Sequence, residues 1–194
     1  MTYKETISKE ELEELPLHSF EGDIMIVDSK DKLREAANYL SQFPFIGFDT
    51  ETKPSFKKGH VNTVALLQLS TNERAFLFRL NHQDLPRKII SILSNPSILK
   101  TGIAIRDDVK LLQAKKRFTP AGFIELQDEA KDRGINCFSL KKLSGIVLGI
   151  RISKAQQLSN WEAIELTEAQ LSYAATDAWI SYKIYEHFNN GWHE

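Results

Sequence analysis

With 194 residues, 42% of them hydrophobic, the chain is long enough to bury roughly 70% of its unfolded surface in one compact domain. Its formal net charge of −1 excludes a broad basic surface, so phosphate contacts must come from local lysines and arginines or from bound metal ions. The lone Cys137 excludes an internal disulfide, the five histidines lack zinc-ligand spacing, and neither a signal-peptide core nor a membrane-length apolar run occurs, which predicts a soluble, cytoplasmic protein with no membrane partner.

Ser8 and Glu11 have capping-box spacing ahead of Leu12, so residues 8–15 read as a short amphipathic helix, a peripheral arm ending at Pro16. Residues 24–27 form a strand candidate. Ser29 can cap a helix in which Leu33, Ala36, Ala37 and Leu40 recur at helical spacing, ending near Pro44. Residues 45–52, 63–70 and 75–80 are strand-like, and the short Thr71-Asn72-Glu73 connection makes the last two a hairpin. Residues 85–93 then read as helix, 98–105 as an apolar strand and 107–117 as helix, the alternation expected where strands turn parallel. The final third is helical: residues 140–148 closing at Gly149, a short turn started by a Ser159 to Glu162 capping box, and a long helix from Thr167 whose own box ends at Gln170.

Chemistry concentrates at three places. The strand Phe45 to Glu51 ends in Asp49 and Glu51, two residues apart and therefore on one face. Their mutual repulsion would raise one pKa unless a cation held both ionised, which makes a hard divalent metal the natural resident. Chance alone gives a chain of this acidity about one D-x-E, so the pair equally fits a strand emerging into solvent. In the last helix Tyr173, Asp177, Ile180, Ile184 and Phe188 advance along one face, which sets Asp177 inside an apolar stripe. A carboxylate there needs a metal, a cation or hydrogen bonds. Tyr173, one turn earlier, fits an ordinary core aromatic as well as a catalytic one. After Ile105, either Asp107 or Asp108 can cap the following helix; Asp108 falls on its apolar face and Asp107 on a polar line with Lys110 and Arg117, which favours Asp108 for chemistry and Asp107 for capping. Four acids in one domain suffice for two Mg²⁺ or Mn²⁺ ions about 4 Å apart, a phosphodiesterase constellation that needs no protein nucleophile.

These motifs, in this order, resemble the DEDDy 3′-5′ exonucleases. Phe48-Asp49-Thr50-Glu51 is similar to the family's first motif, Gly102 to Asp108 to its second, and Tyr173-Ala174-Ala175-Thr176-Asp177-Ala178 to its third. Val64 to Leu69 and Leu158-Ser159-Asn160-Trp161 resemble segments of ribonuclease D and, more closely, of the Werner-type exonuclease domain. The resemblance covers about residues 24–188 and implies an α/β, ribonuclease H-like fold with a mixed five-stranded sheet flanked by helices. It also implies a two-metal reaction that releases nucleoside 5′-monophosphates from the 3′ end of DNA or RNA. Asp49, Glu51, Asp108 and Asp177 would be the metal ligands, with Tyr173 positioning or polarising the attacking water.

Residues 1–23 are expected to be an N-terminal extension to an exonuclease domain over 24–194. Neither a Walker A sequence nor room for the helical accessory domains of ribonuclease D occurs, so substrate delivery is expected from this domain, a homo-oligomer, or a helicase or repair partner. Thr50, Lys57, Lys58 and Lys154 are candidate nucleic-acid contacts, and Lys141, Lys142 and Arg151 could neutralise incoming phosphates. For the lysines the competing reading is a solvated surface. The alternative function is a non-catalytic nucleic-acid or protein-binding module on the same fold.

Overall fold

In a computed structural model, which describes residues 2–55 and 62–190, one mixed sheet runs through the molecule. Its strands are β1 (Asp23–Ile26), β2 (Phe45–Thr52), β3 (Val64–Ser70), β4 (Arg74–Arg79), β5 (Leu99–Gly102) and β6 (Phe123–Glu125), in the spatial order β1-β4-β3-β2-β5-β6. β2, β3 and β4 are antiparallel neighbours, whereas β1 lies parallel to β4 and β5 and β6 continue parallel from β2. The sixth strand adds an edge to the five expected. It spans three half-buried residues, too few for alternation to show in sequence.

Helices α2 (Lys30–Leu40), α3 (Arg87–Leu93) and α4 (Ile105–Lys115) cover one face, packing Ala37, Leu40, Ile89 and Leu112 onto Ile46, Phe48, Leu67 and Phe78. The long α7 (Glu168–Asn190) crosses the other face. Thr167 and Gln170 start it with the expected reciprocal bonds: the Gln170 amide donates to Thr167 Oγ1 at 3.2 Å, and the Thr167 amide to Gln170 Oε1 at 3.0 Å. What lets α7 lie so close is Gly47, where a Cβ would stand 1.9 Å from the Ala178 carbonyl oxygen.

Three expectations need correction. The helix over 140–148 is α6 (Leu140–Leu143) followed by a π-helical turn, Ser144–Leu148, closed as expected by Gly149 at φ 66°. The short turn after Ser159 forms without its capping box: the Ser159 hydroxyl donates to Gln156 Oε1 at 2.5 Å, and Asn160 Oδ1 accepts the Glu162 amide at 3.3 Å. Asp107 is not a cap. β5 stops at Gly102 and α4 begins at Ile105, earlier than expected, after Ala104 in a left-handed conformation at φ 55°. The cap comes from β6, where the Glu125 carboxylate accepts the Ala104 and Ile105 amides at 3.0 Å each, while Asp107 turns outward to Lys110 at 2.8 Å.

The N-terminal residues are packed rather than loosely appended. Ser8 and Glu11 form the expected capping box on α1 (Lys9–Glu14), whose Leu12 approaches Gly145 on the π-helical turn. Beyond it Leu17 bridges Arg151, and the Phe20 amide donates to Thr176 Oγ1 on α7 at 2.9 Å. α5 (Leu126–Asp132) and α6 bury Leu126, Ala130 and Leu143 against Ile180, Ile184 and Phe188 of α7. Among the described residues no helix is long and apolar enough to cross a membrane.

Candidate active site

Alternation along β2 sorts its side chains. Ile46 and Phe48 enter the core under α2 to α4, and the opposite set, Gly47, Asp49 and Glu51, faces α7. Because Gly47 admits the α7 backbone, Asp177 comes down beside the two β2 acids. One carboxylate oxygen from each of Asp49, Glu51 and Asp177 lies within 4.8 Å of the others. Asp177 is buried and the other two are half-buried.

Three carboxylates this close, partly out of water, resist ionising together. Burial, then the charges of Asp177 and Asp108, holds the Asp49 pKa well above the usual carboxylate range. Burial, then Asp49, pushes Glu51 up to about 10. Asp177 is raised to about 6 by burial, against the pull of Lys154 and a hydrogen bond from the Tyr173 hydroxyl. An all-oxygen donor set short of positive charge fits a hard divalent cation, and the three side chains could hold one.

Tyr173 sits one turn before Asp177, buried, its ring tilted against Trp161 at 5.9 Å between centroids. Burial, then the Asp177 charge, pushes its phenol upward, so it stays a hydrogen-bond donor. Asp108 is near but outside the trio: its Oδ1 accepts the Thr50 hydroxyl at 2.5 Å, and burial raises its pKa. The face argument that set Asp108 inward and Asp107 outward agrees with their positions, half-buried and exposed.

The candidate nucleic-acid contacts divide. The buried Thr50 hydroxyl is committed to Asp108. Lys57 and Lys58 lie outside the described residues. Lys154 lies near enough to the acids for its charge to lower the pKa of Asp49, Glu51 and Asp177 alike. The segment after it is pinned on two sides. Lys53 pairs with Glu162 at 3.5 Å, and Arg79 at the end of β4 donates to the Ala163 and Ile164 carbonyls. Arg151 is tied to the N-terminal segment through the Leu15 carbonyl at 2.9 Å. Lys141 and Lys142 ride on α6, half-buried and exposed respectively.

Sequence reasoning gave no role to two polar residues beside the site. Glu125 fixes the start of the helix that carries Asp108, and nothing local to it signals this. Gln68 lies opposite Asp49 on β3, and its signal was present: one amide inside an apolar, fully buried strand.

Comparison with known proteins shows the family and the fold. A 3′-5′ exonuclease family profile matches residues 24–192. The chain is 32% identical to the bifunctional 3′-5′ exonuclease/ATP-dependent helicase WRN of Mus musculus over 199 residues, 96% of this chain but 14% of that protein. It resembles the Aedes aegypti Nibbler EXO domain with a TM-score of 0.78 and 25% identity, covering 89% of this chain and 91% of that one. Escherichia coli RNase D, an exoribonuclease involved in structured RNA processing, shares the fold with a TM-score of 0.76 and 24% identity, over 88% of this chain and 47% of that one. The mixed sheet flanked by helices is thus the ribonuclease H-like arrangement of these structures.

Proposed function

The chain belongs to the 3′-5′ exonuclease family, and from that premise we propose that it hydrolyses phosphodiester bonds at the 3′ ends of DNA or RNA, releasing nucleoside 5′-monophosphates. The observation that carries this reading is the convergence of the Asp49, Glu51 and Asp177 carboxylates within 4.8 Å, where burial and mutual repulsion disfavour their charged forms. These three, with Asp108, would hold two divalent cations, Mg²⁺ or Mn²⁺. When bound, such ions neutralise the scissile phosphate and lower the pKa of an attacking water.

The protein's own groups supply position. The Tyr173 hydroxyl, donating at Asp177, stands where it can orient the attacking water. Lys154, whose charge keeps Asp177 more readily ionised, would meet a substrate phosphate. Thr50 fixes Asp108 from below and makes no contact with nucleic acid in this scheme.

Residues 24–194 would form the exonuclease domain and 1–23 an extension fastened along α7. The mouse relative is described as both exonuclease and helicase. By analogy, a helicase or repair partner, or a second copy of this chain, would deliver substrate here.

The test is digestion of matched 5′-labelled single-stranded DNA, recessed duplex DNA and RNA in Mn²⁺. A ladder shortening from the 3′ end, lost in chelator and in both Asp49→Asn and Asp177→Asn, is expected. Cleavage that survives both substitutions sinks the reading. A protein that binds the strands yet leaves them intact in either metal fits the non-catalytic module instead.

A further inference from the structure

β3 is buried along its whole length, and its side chains are apolar except for Gln68 and Ser70. Ser70 is satisfied, donating to the Thr71 carbonyl at 2.9 Å. Gln68 is fully buried, and among the described residues neither its Nε2 nor its Oε1 has a hydrogen-bond partner. A buried amide left so costs about 1–3 kcal/mol, which an aliphatic side chain of the same length would avoid. An ordered water or ion is the common answer to a buried amide of this kind.

The register says where that group lies. Gln68 pairs with Asp49 on one side and Leu77 on the other, so all three project from the same face of the sheet. Residues directly opposite have Cβ atoms about 5 Å apart, and a glutamine amide extends well beyond that. The shared face is the one under α7, since Gly47, two residues before Asp49, abuts Ala178. Leu66, the next residue along this face of β3, packs with Tyr173 and Trp161. The register thus sets Gln68 next to Asp49 on the α7 side of the sheet, inside the protein. The Thr50 amide already donates to the Asp49 carboxylate, and lone pairs remain beyond that bond.

We propose that Gln68 is a positioning residue for the proposed metal site: through an ordered water held between them, its amide hydrogen-bonds the Asp49 carboxylate and fixes which oxygen is turned toward the cation. A buried water with several polar partners satisfies both groups at once. Hydrogen bonds behind a ligating carboxylate are typically worth 10- to 100-fold in metal affinity. This inference rests on the reading of the trio as a cation site, and its test separates the two.

The decisive measurement is calorimetric Mn²⁺ titration of the metal-free protein, alongside its thermal unfolding, for the parent, Gln68→Met, Gln68→Asn and Asp49→Asn. Gln68→Met keeps the length and removes the amide, so Mn²⁺ affinity should fall about 10- to 100-fold. Gln68→Asn, which keeps an amide at a shorter reach, should fall between the two. A merely structural glutamine predicts the reverse, altered stability with metal affinity untouched. Equal Mn²⁺ affinity in the parent and Gln68→Met overturns the proposal. Should Gln68→Met fail to fold, Gln68→Asn decides: parental affinity there assigns Gln68 to packing and overturns it too. A parent that binds no Mn²⁺, or binds it as well after Asp49→Asn, fails the functional reading itself and takes this inference with it.

Discussion

Thr50 Oγ1 donates to Asp108 Oδ1 at 2.5 Å, joining β2 to α4 across 58 residues of sequence. One residue further back on the same strand, Asp49 faces the opposite side of the sheet, so a dipeptide serves two acids on two elements. Thr50→Val keeps the branched shape and deletes the donor. Freed of that bond, Asp108 should titrate still higher and hold its orientation less well. Cleavage should fall about 10- to 100-fold, with Thr50→Ser close to parental. Equal rates for Thr50→Val and the parent in single-turnover digestion would remove Thr50 from the scheme.

The acid cluster makes stability depend on pH in a definite direction. Glu51, at about 10 in the folded protein against 4.5 normally, keeps a proton that the unfolded chain releases, and Asp49 behaves likewise. The native state then binds more protons, so metal-free stability falls as pH rises from the unfolded pKa toward the folded one. A divalent cation takes the place of those protons. The rise in unfolding temperature on adding Mn²⁺ should therefore be larger at about pH 8 than at about pH 6. Differential scanning fluorimetry reads this directly, and an increment that shrinks with pH contradicts it.

Asp49→Asn should separate stability from activity. Removing one of three crowded carboxylates relieves repulsion, and a gain of about 1 kcal/mol would raise the metal-free unfolding temperature by about 2–4 °C. Cleavage should drop to background. A variant that melts lower and still cleaves would mean that Asp49 is an ordinary structural acid.

Tyr173→Phe keeps the ring against Trp161 and loses only the hydroxyl that reaches Asp177. Turnover should fall on the order of 100-fold, within the usual range for a positioned proton-handling group, while calorimetric Mn²⁺ affinity stays near the parent's. Parental turnover in this variant would leave Tyr173 a core aromatic.

The sequence was most legible where the cause of a structure lies within a few residues of it. Alternation and flanking turn residues located β2 to the residue, and the boxes at Ser8 and Thr167 marked real helix starts because each is a bond between neighbours three apart. Asp177 was visible for the same reason, as a charge interrupting a helical stripe. Asp107 misled because its capping position was inferred from where β5 should end, and the Glu125 that does the capping arrives from another strand. Lys154 stood as a candidate nucleic-acid contact against a solvated-surface reading, and its nearness to the acids depends on the path of a loop that Arg79 and Lys53 pin from elsewhere in the chain. Gln68 was conspicuous in composition, but its meaning depends on strand register, which no local pattern encodes.

Gly47 carries no functional group, yet it sets the spacing of the site. A Cβ there would fall 1.9 Å from the Ala178 carbonyl oxygen, so the contact that limits how near α7 comes to β2 is main chain against main chain. Backbone cannot rotate aside as a side chain can, and Gly47→Ala should lift the whole helix, taking Asp177 away from its two partners and abolishing cleavage though every acid remains. The same rigidity works in the other direction. A cation too large for the gap cannot be accommodated by a rotamer change at Asp177 alone, because widening the site means sliding a packed helix of 23 residues. Discrimination among ions by size would thus be a property of the scaffold, written at a position where no ligand stands.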